Sequence, residues 1–226
     1  MHLYLGYKNY SSWSLRAWLI LQANNIAFDE TVLPIFHDDS LVKLANEWQV
    51  PKQVPILADQ GMIIWDSLSI MEFLADKYPD KNLWPNDVGL RALARSASAE
   101  MHSGFMALRS QCPMNCRVKK RISIDEALQQ DLDRLAQLWS MFGSHNSKGA
   151  KGAAGNFLCG DFSIVDAMYA PIGVRVRGYG LNVSDSFSSW SDQLFDLPAM
   201  QTWMQQALGE SWSLPQYDKV GATDYG

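Results

Sequence analysis

The hydrophobic rhythm of this chain changes once, and the change falls at a pair of prolines, Pro79 and Pro85. Before them, short pieces of strand-like and helix-like period alternate. After them, every apolar pattern steps by three or four residues. Leu3 and Leu5 alternate with polar neighbours in a short strand. Tyr10-Ser11-Ser12 then sets hydroxyls just ahead of Leu15, Trp18, Leu19 and Leu21, the start signal and apolar face of a helix. Ala27 to Leu33 reads as a second strand, and Asp38-Asp39-Ser40 as the cap of a short helix through Leu41, Leu44 and Trp48. Val54-Pro55-Ile56-Leu57 and Met62-Ile63-Ile64-Trp65 flank Asp59-Gln60-Gly61, the pattern of a hairpin. Asp66-Ser67 caps a further helix with Leu68, Met71, Phe73 and Leu74 inward. The predicted order over residues 1–78 is βαβαββα, an α/β unit.

Residues 79–87 are predicted as a linker, and 88–226 as an all-helical bundle domain. One helix is predicted from Leu90, Leu93, Ala97, Met101, Gly104 and Leu108, and another from Leu128, Leu132, Leu135, Trp139 and Phe142. A third begins at Ser163-Ile164-Val165-Asp166, and a last runs from about Pro198 to Leu208. Gly143 to Gly155 reads as a flexible loop. It lacks the Gly-Lys-Ser/Thr ending of a phosphate-binding loop, so no ligand is assigned to it.

Composition narrows the partners. Hydrophobic residues make up 47% of the 226, enough for a packed core. The formal charge of -5 argues against a nucleic-acid partner, which calls for a basic face. No run approaches the roughly 20 apolar residues of a membrane span, so no membrane partner is expected. The first residues lack a basic lead into an apolar run, so no signal peptide is read. Three cysteines, an odd and sparse set, suit a reducing cytoplasm. Cys112 and Cys116 flank Pro113 with no second ligand pair nearby, and His37-Asp38-Asp39 reads as a solvated helix start. No metal is expected.

Four motifs, in order over nearly the whole length, resemble those of the cytosolic glutathione S-transferases, closest to the zeta and theta serine-type classes. Tyr10-Ser11-Ser12-Trp13-Ser14-Leu15-Arg16 is similar to the serine motif. Pro51-Lys52-Gln53-Val54-Pro55 is similar to the loop ending in the family's cis-proline. Asp66-Ser67 ahead of a helix is similar to the pair that holds the γ-glutamyl end of glutathione. Ser163-Ile164-Val165-Asp166-Ala167 is similar to the capping box of the C-terminal domain. The resemblance implies a thioredoxin-like N-terminal domain, glutathione as co-substrate, a small hydrophobic electrophile as second substrate, and a cytoplasmic homodimer. It places the catalytic serine on Ser11, with Ser12 as the close second. Lys52, Gln53, Val54, Pro55, Asp66 and Ser67 become the glutathione-binding set, and the helix bearing Met101, His102, Phe105, Met106 and Arg109 the acceptor-site wall.

The chemistry behind the serine is simple. A thiol is nucleophilic only as thiolate, and at a reference pKa near 8.5 little of it is ionised at neutral pH. Lowering that pKa by about 2 units takes roughly 2.7 kcal/mol of selective stabilisation of the anion. A donated hydroxyl hydrogen bond plus a helix N-terminus supplies an amount of that order. Capping alone is the competing account of Ser11, Ser12, Asp66 and Ser67, and bundle packing that of the apolar wall residues. The motif also departs from the zeta pattern: Trp13 stands where that class has cysteine, and Leu15 where it has tryptophan. No cysteine lies in the first domain, so thiol-transfer chemistry lacks a protein nucleophile. Three functions stay open on sequence: conjugation of glutathione to an electrophile, glutathione-dependent cis-trans isomerisation of the maleylacetoacetate type, and a non-catalytic binding or regulatory role.

Overall fold

In the computed structural model, residues 1–146, 157–218 and 223–224 are described. The predicted βαβαββα order is the one observed. It runs β1 (His2–Leu5), α1 (Ser12–Ala23), β2 (Asp29–Val32), α2 (Ser40–Trp48), β3 (Ile56–Asp59), β4 (Met62–Ile64) and α3 (Ser67–Lys77). The sheet order is β2-β1-β3-β4. β1 lies parallel to β2, with Leu3 opposite Glu30, and antiparallel to β3, with Leu3 opposite Leu57. The parallel pair needs a helical crossover, which α1 provides. Gln60 and Gly61 at the hairpin tip both have positive φ (49° and 83°), the turn whose twist matches the strands. This is the thioredoxin-like domain.

After a short 3-10 turn at Pro79–Lys81, everything large is helix: α4 (Val88–Ser103), α5 (Met106–Gln111), α6 (Glu126–Asn146), α7 (Ile164–Gly178), α8 (Asp185–Asp196), α9 (Pro198–Gly209) and the short α10 (Pro215–Asp218). Two residue pairs, β5 (Lys120–Arg121) and β6 (Thr223–Asp224), bridge antiparallel. Helix α7 is the shaft of the molecule, packed against α1 and α4 with every residue buried except Arg177. Its start is fixed by Asp166, whose wholly buried carboxylate accepts from Ser163 N–H (3.0 Å), the Ser163 hydroxyl (2.9 Å), Leu158 N–H (3.0 Å) and Trp190 Nε1 (2.9 Å).

Three expectations need correction. The single helix drawn through Leu90 to Leu108 is two helices. Gly104 is extended (φ -110°, ψ -162°) and Phe105 is left-handed (φ 57°), so the chain turns between them. A Cβ at Gly104 would lie 2.8 Å from the Glu100 carbonyl, which reserves the position for glycine. The loop read from Gly143 begins too early, because α6 continues to Asn146; residues 147–156 lie outside the described residues. Helix α8 went unread amid its serines, although Phe187, Trp190 and Leu194 make its buried stripe and Ser184 Oγ caps it by accepting from Phe187 N–H.

A buried lysine ties the sheet to the last long helix. Lys8 Nζ reaches Glu30 of β2 and Gln206 Oε1 of α9 (2.5 Å), and lies over the indoles of Trp18 (4.9 Å) and Trp203 (5.4 Å). A lysine this buried is tolerable because its charge is paired and its flanks are aromatic.

Candidate active site

A cleft of about 660 Å³ opens where the β1–α1 turn, the Val54–Pro55 loop, the start of α3, the α4–α5 junction and the C-terminal tail converge. Ser11 is the N-cap of α1. Its Oγ accepts from Ser14 N–H (3.3 Å), and its hydroxyl donates to Ser14 Oγ (2.7 Å). Ser14 is fully buried and also accepts from Gly6 N–H (3.0 Å). Ser12 is the first residue of the helix, half-buried and in the same cleft. Gly6 lets these parts close up: a Cβ there would stand 3.1 Å from Val54 Cγ2 and 3.3 Å from Ser11 Cβ. The Val54–Pro55 peptide is cis.

At the start of α3, Asp66 Oδ1 accepts from Leu68 N–H (3.0 Å) and Ser69 N–H (3.2 Å), while Oδ2 meets His102 Nε2 at 2.9 Å. Ser67 is fully buried at the cleft wall, and its Oγ has no hydrogen-bond partner. An orphaned hydroxyl at the positive end of a helix is a place for a carboxylate. Lys52 and Gln53 sit exposed on the rim.

The opposite wall is cationic. Trp13 carries the Arg16 guanidinium at 4.3 Å and that of Arg109 at 4.9 Å from its ring, with the His102 ring edge-on at 5.2 Å. Arg175, from α7, completes the group, giving its Nε to the Cys112 carbonyl (2.9 Å) and Nη1 to that of Pro171 (3.2 Å). Arg16 Nε donates to the Met168 carbonyl (3.1 Å), but its Nη1 is buried without a partner. Among the described residues none of the three is ion-paired with a carboxylate. Burial, aided by the like charges of Arg175 and Arg109, pulls the Arg16 guanidinium down to about 9. Burial and then Arg109 bring Arg175 down to about 10, and burial lowers Arg109.

The tail closes one end. Leu214 and Tyr217 line the cleft; Tyr217 stacks on Tyr10 at 5.7 Å, and the Tyr10 hydroxyl donates to Asp218 Oδ1 (2.9 Å). Burial raises the Tyr10 and Tyr7 phenols above their ordinary range, so both stay neutral.

Of the residues proposed from sequence, the cleft gathers Ser11, Ser12, Lys52, Gln53, Val54, Pro55, Asp66, Ser67, His102, Met106 and Arg109. Met101 and Phe105 do not line it. Met101 faces the bundle core, and the break at Gly104 turns the Phe105 ring edge-on against Tyr169 (6.1 Å). Ser14, Arg16, Arg175 and the tail were missed as site components. For Arg175 a signal existed: a cation in the otherwise apolar run Ala170 to Val176 needs a reason to be there.

Residues 10–77 match the family model for the glutathione S-transferase N-terminal domain. Glutathione S-transferase 1 of Dianthus caryophyllus is 25% identical over 187 residues, 82% of this chain and 81% of its own. A probable maleylacetoacetate isomerase of Caenorhabditis elegans is 26% identical over 201 residues, 87% of this chain and 89% of its own. Among solved structures, a glutathione transferase homolog from Burkholderia with bound glutathione superposes with a TM-score of 0.67. It is 22% identical and covers 92% of this chain and 98% of that one. Fold, motif order and comparison agree: residues 10–77 are a glutathione S-transferase N-terminal domain, in a chain with the glutathione transferase fold.

Proposed function

We propose that this chain is a glutathione-dependent enzyme that holds the tripeptide's sulfur as a thiolate against Ser11 and adds it to a small electrophile. The observation that supports it best is the hydroxyl chain at the head of α1. Gly6 N–H donates to Ser14 Oγ, and the Ser11 hydroxyl donates to the same oxygen. If the Ser14 hydroxyl turns to donate to Ser11 Oγ, the Ser11 proton is released toward a sulfur in the cleft. Each donor then strengthens the next. The helix N-terminus adds its partial positive charge. The Ser67 hydroxyl at the start of α3 would take the γ-glutamyl carboxylate, and the Val54 backbone the cysteinyl amide. Asp66 would receive the α-ammonium, and Lys52 and Gln53 the glycine carboxylate.

A second reading, isomerisation, is favoured by Arg109 and Arg175, which line the cleft, with Arg16 buried against Trp13 beside them. Guanidinium groups without carboxylate partners favour an acceptor that brings its own negative charge. In such an acceptor the thiolate adds to the cis carbon–carbon double bond and the electron pair moves to the conjugated carbonyl. Rotation about the resulting single bond follows, and loss of the thiolate restores the double bond as trans. No atom is gained or lost. The apolar part of the wall, Trp13, Met106, Pro113 and Met114, suits either acceptor. The homodimer and the cytoplasmic setting belong to this reading, and sedimentation tests the former.

The test is the ultraviolet thiolate absorbance of bound glutathione across pH. Ser11→Ala should raise the half-ionisation pH by about 1 unit or more, while Ser12→Ala should shift it far less. An unchanged titration in Ser11→Ala removes the serine mechanism, and failure of the wild type to retain glutathione favours the non-catalytic alternative. Arg175→Met should depress turnover of a cis-enone keto acid by about tenfold or more, and turnover of a neutral electrophile hardly at all.

A further inference from the structure

The turn that presents Ser11 is held from the far end of the chain. Glu210, just beyond α9, turns its carboxylate onto two successive backbone amides of that turn: Oε1 accepts from Lys8 N–H at 2.7 Å and Oε2 from Asn9 N–H at 3.0 Å. The next residue, Tyr10, donates its hydroxyl to Asp218 and accepts at the same oxygen from Leu214 N–H (3.2 Å). Residues 8, 9 and 10 are therefore each anchored to the segment 210–218, immediately before Ser11. The segment is itself fixed. Arg117 donates to the carbonyls of Ala207 (3.2 Å), Glu210 and Trp212 (3.0 Å), and Asp218 accepts from Asn115 Nδ2 (2.9 Å) and the Ser213 hydroxyl (2.8 Å).

We infer that Glu210 is a positioning residue for Ser11: its bidentate grip on the Lys8 and Asn9 amides sets the register of the β1–α1 turn, so that Ser11 rather than Ser12 caps the helix and offers its hydroxyl to the cleft. A shift of one residue in that turn exchanges the two serines, and nothing in the local sequence Tyr10-Ser11-Ser12 distinguishes them. A carboxylate bound to two charge-assisted hydrogen bonds at fixed spacing does distinguish them, because both bonds cannot survive the shift. Asp218 acts in the same sense through Tyr10. The inference rests on Ser11 as the thiolate donor, the reading proposed above.

The experiment is a double-mutant cycle read by the thiolate titration of bound glutathione. Glu210→Gln puts an amide nitrogen where one backbone N–H needs an acceptor. It should raise the half-ionisation pH by about half a unit, roughly a threefold loss of thiolate at a given pH. In a Ser11→Ala background the same substitution should add nothing further, since it acts through the missing hydroxyl. Arg134→Gln, which breaks the remote pair with Glu100, should lower stability and leave the titration alone. If Ser11→Ala shifts the titration and Glu210→Gln does not, or if the two shifts add, the inference fails while the serine mechanism stands. If Ser11→Ala shifts nothing, the serine mechanism itself fails. Should Glu210→Gln not fold, Asp218→Asn carries the same expectation. A readout independent of glutathione is amide hydrogen exchange in the free protein. Exchange at Ser11, Ser12 and Ser14 should quicken about tenfold in Glu210→Gln, and unchanged exchange there overturns the inference by itself.

Discussion

Gly6 shows how little space the proposed thiol site leaves. Val54 Cγ2, Ile35 Cδ1 and Ser11 Cβ would all lie between 3.1 and 3.3 Å from a methyl group at this position, closer than ordinary carbon contacts. Gly6→Ala should therefore push the Val54 loop and the Ser11 turn apart by a few tenths of an ångström. Overpacking of this kind costs about 1–3 kcal/mol, which a denaturant midpoint would read. Glutathione affinity should fall with it, because all three of these groups line the cleft. Trp13 works in the opposite sense, filling space with a platform. Where the zeta pattern has a cysteine, this chain has an indole that spreads two guanidinium groups over its ring. The residue that removes one chemistry thus helps to assemble the cationic wall on which the proposed isomerisation rests.

Among the elements, the start of α7 illustrates a capping residue carrying more than its own helix. Asp166 joins the Leu158 segment, the Ser163 cap and Trp190 of α8 in one buried carboxylate. Burial pushes that carboxyl up to about 6, from an ordinary 3.8, against the pull of its four donors. A carboxyl whose folded pKa is raised binds more protons folded than unfolded across the window between those values. Its contribution to stability therefore grows as pH falls from about 6 to about 4, by at most about 3 kcal/mol. Asp166→Asn should lower stability by about 2–4 kcal/mol at neutral pH, since an amide nitrogen would face donors. Its stability should also drop more steeply than that of the wild type between pH 6 and pH 4, in chemical denaturation at a series of pH values. The strand and helix order of the first domain was legible because each element is specified by its own short run and cap. The split at Gly104 was not, because apolar residues keep helical spacing across a break that only the Glu100 carbonyl makes necessary. Helix α8 was hidden for a different reason: its serines dilute the apolar stripe of Phe187, Trp190 and Leu194, which shows only against the neighbours that bury it.

At the scale of the whole molecule, the parts of the site that escaped sequence reading are those assembled across the longest distances. Arg16 of α1 and Arg175 of α7 meet Arg109, the one of the three read from sequence, and Glu210 grips residues about two hundred positions earlier. No local pattern encodes such meetings; only the packing of the helical domain against the sheet brings them about. The same packing silences the cysteines. Burial pushes the Cys112 and Cys116 thiols up to about 12 and raises that of Cys159 as well, so at pH 8 the thiolate fraction at the first two is on the order of 10⁻⁴. A disulfide reagent should find almost none of the three thiols in the native protein and all three after unfolding, with the rate of appearance following global opening.

Helix α7 has one further consequence. With fourteen of its fifteen residues out of solvent, it has almost no position that can drift without disturbing α1, α4 or α8. Diversification toward new acceptors is thereby channelled to the perimeter: the α4–α5 elbow, the rim around Lys52, and the tail at Leu214 and Tyr217. A lineage built on this scaffold would keep its axle and exchange its edges.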